Sequence, residues 1–153
     1  MGLFKHLRSM FARPDPRIVT IDGIGELQEN RRYGWWTGTA KIASAKRSVG
    51  VCFKTGERLP GEREASFWRQ IAHNWPQFWL VICSDLRQDR KLFFDSPEEA
   101  DAFFEEVHPT VISFDELPPG DEQWEIEVQP AYSEHLMTLQ MRGMKYQSNR
   151  LDG

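Results

Sequence analysis

Apolar residues change their spacing several times along the chain, and each spacing predicts a different element. Between residues 3 and 12 they recur at helical intervals, which predicts a short amphipathic helix that ends before two prolines. In residues 17–54 the pattern changes to short runs of β-branched and aromatic residues, separated by turn residues such as Asp22-Gly23. The short connections between these runs predict an antiparallel meander.

A long helical pattern follows the loop at residues 55–61. Its apolar positions keep one helical phase over more than four turns, and they are Trp68, Ile71, Ala72, Trp75, Trp79, Ile82 and Leu86. Pro76 lies inside this pattern and lacks a backbone N–H, so we expect either a kink or two abutting helices. The alternative for residues 78–83 is a strand, because this run is apolar and partly β-branched.

The run Ser96-Pro97-Glu98-Glu99 is the clearest local sign of a helix start. Ser96 can cap a helix, Pro97 suits the first helical position, and Glu99 completes a capping box. The two glutamates also complement the positive end of the helix dipole. We therefore expect an acidic helix that begins here and ends at His108.

After this helix, apolar and polar residues alternate again. Strands are expected at residues 111–114, 124–128 and 136–141, with turns at residues 118–120 and at Gly143. Segregated helices and strands of this kind predict an α+β fold with a mostly antiparallel sheet. In that fold the N-terminal meander and the C-terminal strands pack with the long kinked helix, the acidic capped helix and the short N-terminal helix.

Length and composition indicate one domain of ordinary apolar content. The chain has 153 residues, of which 40% are hydrophobic. We expect residues 1–16 to form the amphipathic helix and a proline-rich connector, and residues 17–153 to form a single α+β domain. Lys5, His6 and Arg8 interrupt the N-terminal apolar stretch, and no run of 18 apolar residues exists, so we expect a cytoplasmic protein.

Charge is divided unevenly along the chain. Residues 1–70 hold 13 Lys or Arg against 7 Asp or Glu, whereas residues 71–153 hold 6 against 16. Within residues 95–127 there are 12 acidic side chains and no Lys or Arg. Such a stretch disfavours nucleic acid and attracts a basic partner protein, so we expect no nucleic-acid partner.

No residue pattern in the sequence predicts catalysis, a metal site or a cofactor. The four histidines have no helical i, i+4 pairing, and neither Cys52 nor Cys83 has a nearby cysteine or histidine partner. Both cysteines lie in apolar runs, which favours buried thiols. Glu134 and His135 are adjacent, but neighbours on a strand point to opposite faces and would not form a dyad. His135 is therefore kept only as a binding candidate.

Two groups of residues are candidates for binding a partner. Trp35 and Trp36 lie on one predicted strand, so one indole is expected in the core and the other outside, where it could anchor an interface. The acidic stretch is the second candidate surface, and its binding candidates are Glu98, Asp101, Glu105, Glu125 and Glu127.

The predicted N-terminal helix leaves a further alternative open. Its apolar residues could contact an anionic membrane, could dock on the domain itself, or could pack on another subunit. These residues are Leu3, Phe4, Leu7 and Phe11, and Lys5 and Arg8 lie beside them.

Short motifs resemble those of a bacterial family of uncharacterised small domains. The chain has Gly25-Glu26-Leu27 followed by Trp35-Trp36-Thr37-Gly38, similar to the opening hairpin of that family. Its end is similar too, with Tyr132-Ser133-Glu134-His135-Leu136 and a terminal Leu151-Asp152-Gly153. Pro76 and the long acidic stretch depart from the pattern. The resemblance implies a bacterial α+β domain, and by analogy some comparable domains are immunity proteins that accompany toxins.

These observations together favour a non-catalytic protein-binding module, of which an immunity-like inhibitor is one version. Its partner is expected to be another protein, such as a basic one, or a second copy of the chain. The alternatives are a small hydrolase whose site forms only in the folded chain, and a peripheral membrane protein.

Overall fold

The computed structural model describes most of the chain after the predicted N-terminal helix. The described residues are 15–43, 45, 47–89, 94–115, 121–129 and 136–152. The predicted helix at residues 3–12, the predicted turn at residues 118–120 and the binding candidate His135 lie outside them. Every statement below concerns the described residues.

Eight strands form one sheet in which the spatial order equals the chain order. They are β1 (Ile18–Ile21), β2 (Gly25–Asn30), β3 (Trp35–Ala40), β4 (Val49–Phe53), β5 (His108–Phe114), β6 (Gln123–Gln129), β7 (Leu136–Arg142) and β8 (Lys145–Asp152). Neighbouring strands in the sheet are antiparallel except β4 and β5, which run parallel. This arrangement with its helices confirms the α+β class.

Two helices lie between β4 and β5 in the chain: α1 (Glu62–Gln88) and α2 (Pro97–Glu106). A parallel pair cannot be joined by a tight turn, so the crossover that carries both helices is what allows β4 and β5 to pair. Neither helix is long and apolar enough to cross a membrane.

The long helix continues through Pro76 as one helix from Glu62 to Gln88. Trp75 and Phe78, on either side of this proline, are both buried and extend the same apolar stripe. Pro76 itself is exposed on the outer side of the helix. The structure therefore has one helix here rather than two, and residues 78–83 belong to it rather than to a strand.

The start of α2 has the Ser96 cap and the first-turn proline that its sequence predicts. Ser96 Oγ accepts a hydrogen bond from the backbone N–H of Glu99 at 3.1 Å, which satisfies an amide group that a helix start otherwise leaves unpaired. The Glu99 carboxylate accepts from the backbone N–H of Asp95 at 2.7 Å, one residue before the cap, and not from Ser96 as a capping box requires.

Aromatic rings join α1 to one face of the sheet, which we call the first face. The ring centroids of Phe67 and Phe78 on α1 lie 5.9 and 5.5 Å from that of Trp124 on β6. Phe114 on β5 stacks on the same indole at 5.9 Å. The Trp124 N–H donates to the Gly143 carbonyl oxygen at 2.6 Å, so this buried indole keeps a polar partner.

A polar cluster fixes the C-terminal end of α1 to the edge of the sheet. Asp89, which follows the helix, accepts hydrogen bonds from Tyr146 Oη at 2.6 Å and from Asn149 Nδ2 at 2.8 Å, both on β8. Burial and the neighbouring Asp89 carboxylate raise the pKa of the Tyr146 phenol, so it stays protonated and donates. The helix is thus held at the far strand as well as at the centre of the sheet.

We predict that Gly38→Ala destabilises the sheet, because β3 passes very close to β2 at this position. A Cβ atom at Gly38 would press against the Glu26 carbonyl oxygen and would lie 2.8 Å from Leu27 Cδ2. We expect a loss of about 1–3 kcal/mol in the free energy of unfolding, measured by urea denaturation. Thr39→Ala, at the exposed neighbouring position on β3, is the control. Equal urea midpoints for the two variants would contradict this close approach.

Candidate interaction site

The two faces of the sheet differ in what covers them. On the first face, Trp36, Phe53 and Phe114 belong to the hydrophobic core that also contains the buried residues of both helices. Their sequence neighbours Trp35, Cys52 and Ser113 point the opposite way, because side chains alternate along a strand. We call that opposite side the second face, and neither described helix lies on it.

A row of contacting side chains begins on the second face at the start of β3. The rings of Tyr33 and Trp35 lie 5.1 Å apart, with the guanidinium of Arg32 placed 5.2 Å from the Tyr33 ring centroid. On the other side, Lys54 Nζ lies 5.7 Å from the Trp35 ring centroid. Both distances fall within the range of cation–π attraction, so the two aromatic rings are held between two cations.

The row continues from Lys54 across the remaining strands. Lys54 Nζ lies 3.0 Å from Asp115 Oδ1 and 3.7 Å from Glu125 Oε2. Glu125 pairs with Gln140 in the β6–β7 register, and Gln140 Oε1 accepts a hydrogen bond from Ser148 on β8 at 2.8 Å. We call this set the cross-strand row, and its members are Tyr33, Trp35, Lys54, Asp115, Glu125 and Gln140.

The charge of Lys54 is stabilised by its neighbours. Burial alone would lower the pKa of Lys54, but the hydrogen bond and the negative charge of Asp115, with a further contribution from Glu125, raise it above its usual value. The ammonium group therefore remains charged at neutral pH and holds the carboxylates beside the aromatic rings.

A cleft of about 320 Å³ opens at the carboxylate end of the row. Its polar lining consists of Asp115, Gln123, Glu125, Gln140, Arg142 and Gln147. Arg142 is held by Asp121, to which its Nη2 donates at 2.9 Å. Carboxylates and amides can hydrogen-bond a partner, and the described part of the lining contains no serine, cysteine or histidine.

The pKa values of the two cysteines also differ from that of a nucleophilic cysteine. Burial raises the pKa of both Cys52 and Cys83 to about 11, so neither is a thiolate at neutral pH. Among the described residues, no group of three His, Cys, Asp or Glu side chains could hold a metal ion.

The structure separates the two tryptophans that the sequence marked as binding candidates. Trp36 has no exposed surface and contributes to the core, whereas Trp35 is 36% exposed and belongs to the cross-strand row. A partner can therefore reach Trp35 directly, and Trp36 does not form part of the surface considered below.

The acidic candidates lie on two surfaces rather than one. Glu98, Asp101 and Glu105 are exposed on α2, where Asp101 accepts a hydrogen bond from Arg87 of α1 at 2.9 Å. Glu125 and Glu127 are half-buried on the second face of the sheet. The continuous acidic stretch in the sequence thus does not form one continuous docking face.

Sequence reasoning missed a buried carboxylate at the end of β2. Glu29 occurs in a run that looks like a polar turn, yet it lies within β2 on the same face as Leu27. Its side chain is only 6% exposed and accepts hydrogen bonds from Arg17 Nε at 2.9 Å and Arg31 Nε at 3.0 Å. The signal that could have revealed it is the two-residue alternation that continues from Leu27.

Comparisons with protein-family models, with curated proteins and with solved structures found no match. The interpretation of the cross-strand row therefore rests on its geometry.

We predict that Glu29 makes stability depend on pH in the acid range. Hydrogen bonds from Arg17, together with Arg31, lower the pKa of Glu29 from 4.5 to about 2 in the folded chain. A lowered pKa stabilises the fold above the unfolded-state value, and this contribution is lost as the pH falls through that window. Glu29→Gln should therefore be less stable than wild type at pH 6, and the difference should shrink between about pH 4.5 and pH 2.

Urea unfolding at a series of pH values measures this difference. Glu26→Gln is the matched control, because it removes the same charge from an exposed position on the opposite face of β2. A stability gap between wild type and Glu29→Gln that stays constant down to pH 2 would contradict the ion-pair explanation.

Proposed function

We propose that this chain is a non-catalytic protein-binding module and that its partner docks on the cross-strand row. The single observation that supports this most is the exposed aromatic pair at the start of the row. Tyr33 is 52% exposed and Trp35 is 36% exposed, although both are large rings. Tyrosine and tryptophan are enriched among the residues that carry most of the binding energy at protein interfaces.

The aromatic pair has contacts of its own within the chain. Arg32 and Lys54 flank the two rings, and Lys54 is in turn fixed by two carboxylates. A side chain that is immobile in the free protein loses less conformational entropy on binding. The contacts around Trp35 thus favour a binding surface that is formed in advance.

The extent of the row fits a protein partner better than a small molecule. It runs from β3 to β7, four strand spacings, which is about 19 Å. Aromatic rings occupy one end, and carboxylates and amides occupy the other. A surface with apolar anchors and polar hydrogen-bonding groups is typical of protein interfaces.

The acidic side chains of α2 lie on another surface of the chain, and their charge favours a basic partner. Glu98 and Glu105 are exposed there without an ion pair to another described residue, and complementary charge accelerates association. An inhibitor of the immunity type, which binds a basic toxin, is the concrete version of the proposal. The resemblance of the opening hairpin and the chain end to a bacterial family supports this version by analogy.

We predict that Trp35→Ala weakens binding of the partner at least tenfold, as expected when an aromatic anchor residue of an interface is removed. The partner is first isolated on the immobilised wild-type chain from an extract of its native host, at low and at physiological salt. Its dissociation constant is then measured for wild type and variant by calorimetry.

Leu80→Ala is the matched control, because Leu80 is a 69% exposed apolar residue on α1, away from the row. It should bind as the wild type does, and both variants should keep the wild-type far-ultraviolet dichroism. Failure to recover a partner at either salt concentration would count against the proposal. A partner that binds Trp35→Ala with unchanged affinity would exclude the row as its site.

A further inference from the structure

We draw no further inference here: the strongest candidate, the polar cleft of about 320 Å³ at the carboxylate end of the cross-strand row, belongs to the interaction site already described, and its lining carboxylates Asp115 and Glu125 are already paired with Lys54.

Discussion

The architecture depends on the packing of the α1 aromatic stripe against a single face of the sheet. Phe67 and Phe78 contact Trp124 from above, and Phe114 contacts it within the sheet. Each such aromatic pair stabilises the fold by about 0.5–1.5 kcal/mol beyond the area that it buries. The same helix also contacts the N-terminal half of the sheet, because the Trp68 N–H donates to the Gly23 carbonyl oxygen at 2.9 Å.

This one-sided packing determines what the second face can do. Each large apolar residue that turns towards α1 forces its neighbours in the strand to the other side. On the middle strands these neighbours are small, whereas at the strand ends they are Trp35, Lys54 and Glu125. The second face therefore has a buried floor of small residues and an exposed row of larger groups.

Much of the fold follows from local patterns in the sequence. The Ser96 cap, the strand alternation in residues 124–128 and the long apolar stripe of α1 are all signals within a few turns or residues, and the structure contains each of them. Contacts between residues that are far apart in the sequence could not be predicted in the same way. Lys54 and Asp115 meet only because β4 and β5 are paired, and a single sequence does not reveal which strands are neighbours. The burial of Glu29 could not be predicted for a related reason. Its partner Arg17 directly precedes β1, and the pairing of β1 with β2 brings the two residues together.

The parallel pair explains why the charged part of the row forms where it does. In the β4–β5 register Phe53 lies beside Phe114, so the residues that follow them, Lys54 and Asp115, leave the sheet side by side. Parallel strands bring their carboxyl ends to the same edge of a sheet. An antiparallel pair would have placed these two residues at opposite ends. The parallel pairing of β4 and β5 therefore creates the ion pair, and Asp115 of this pair also lines the cleft.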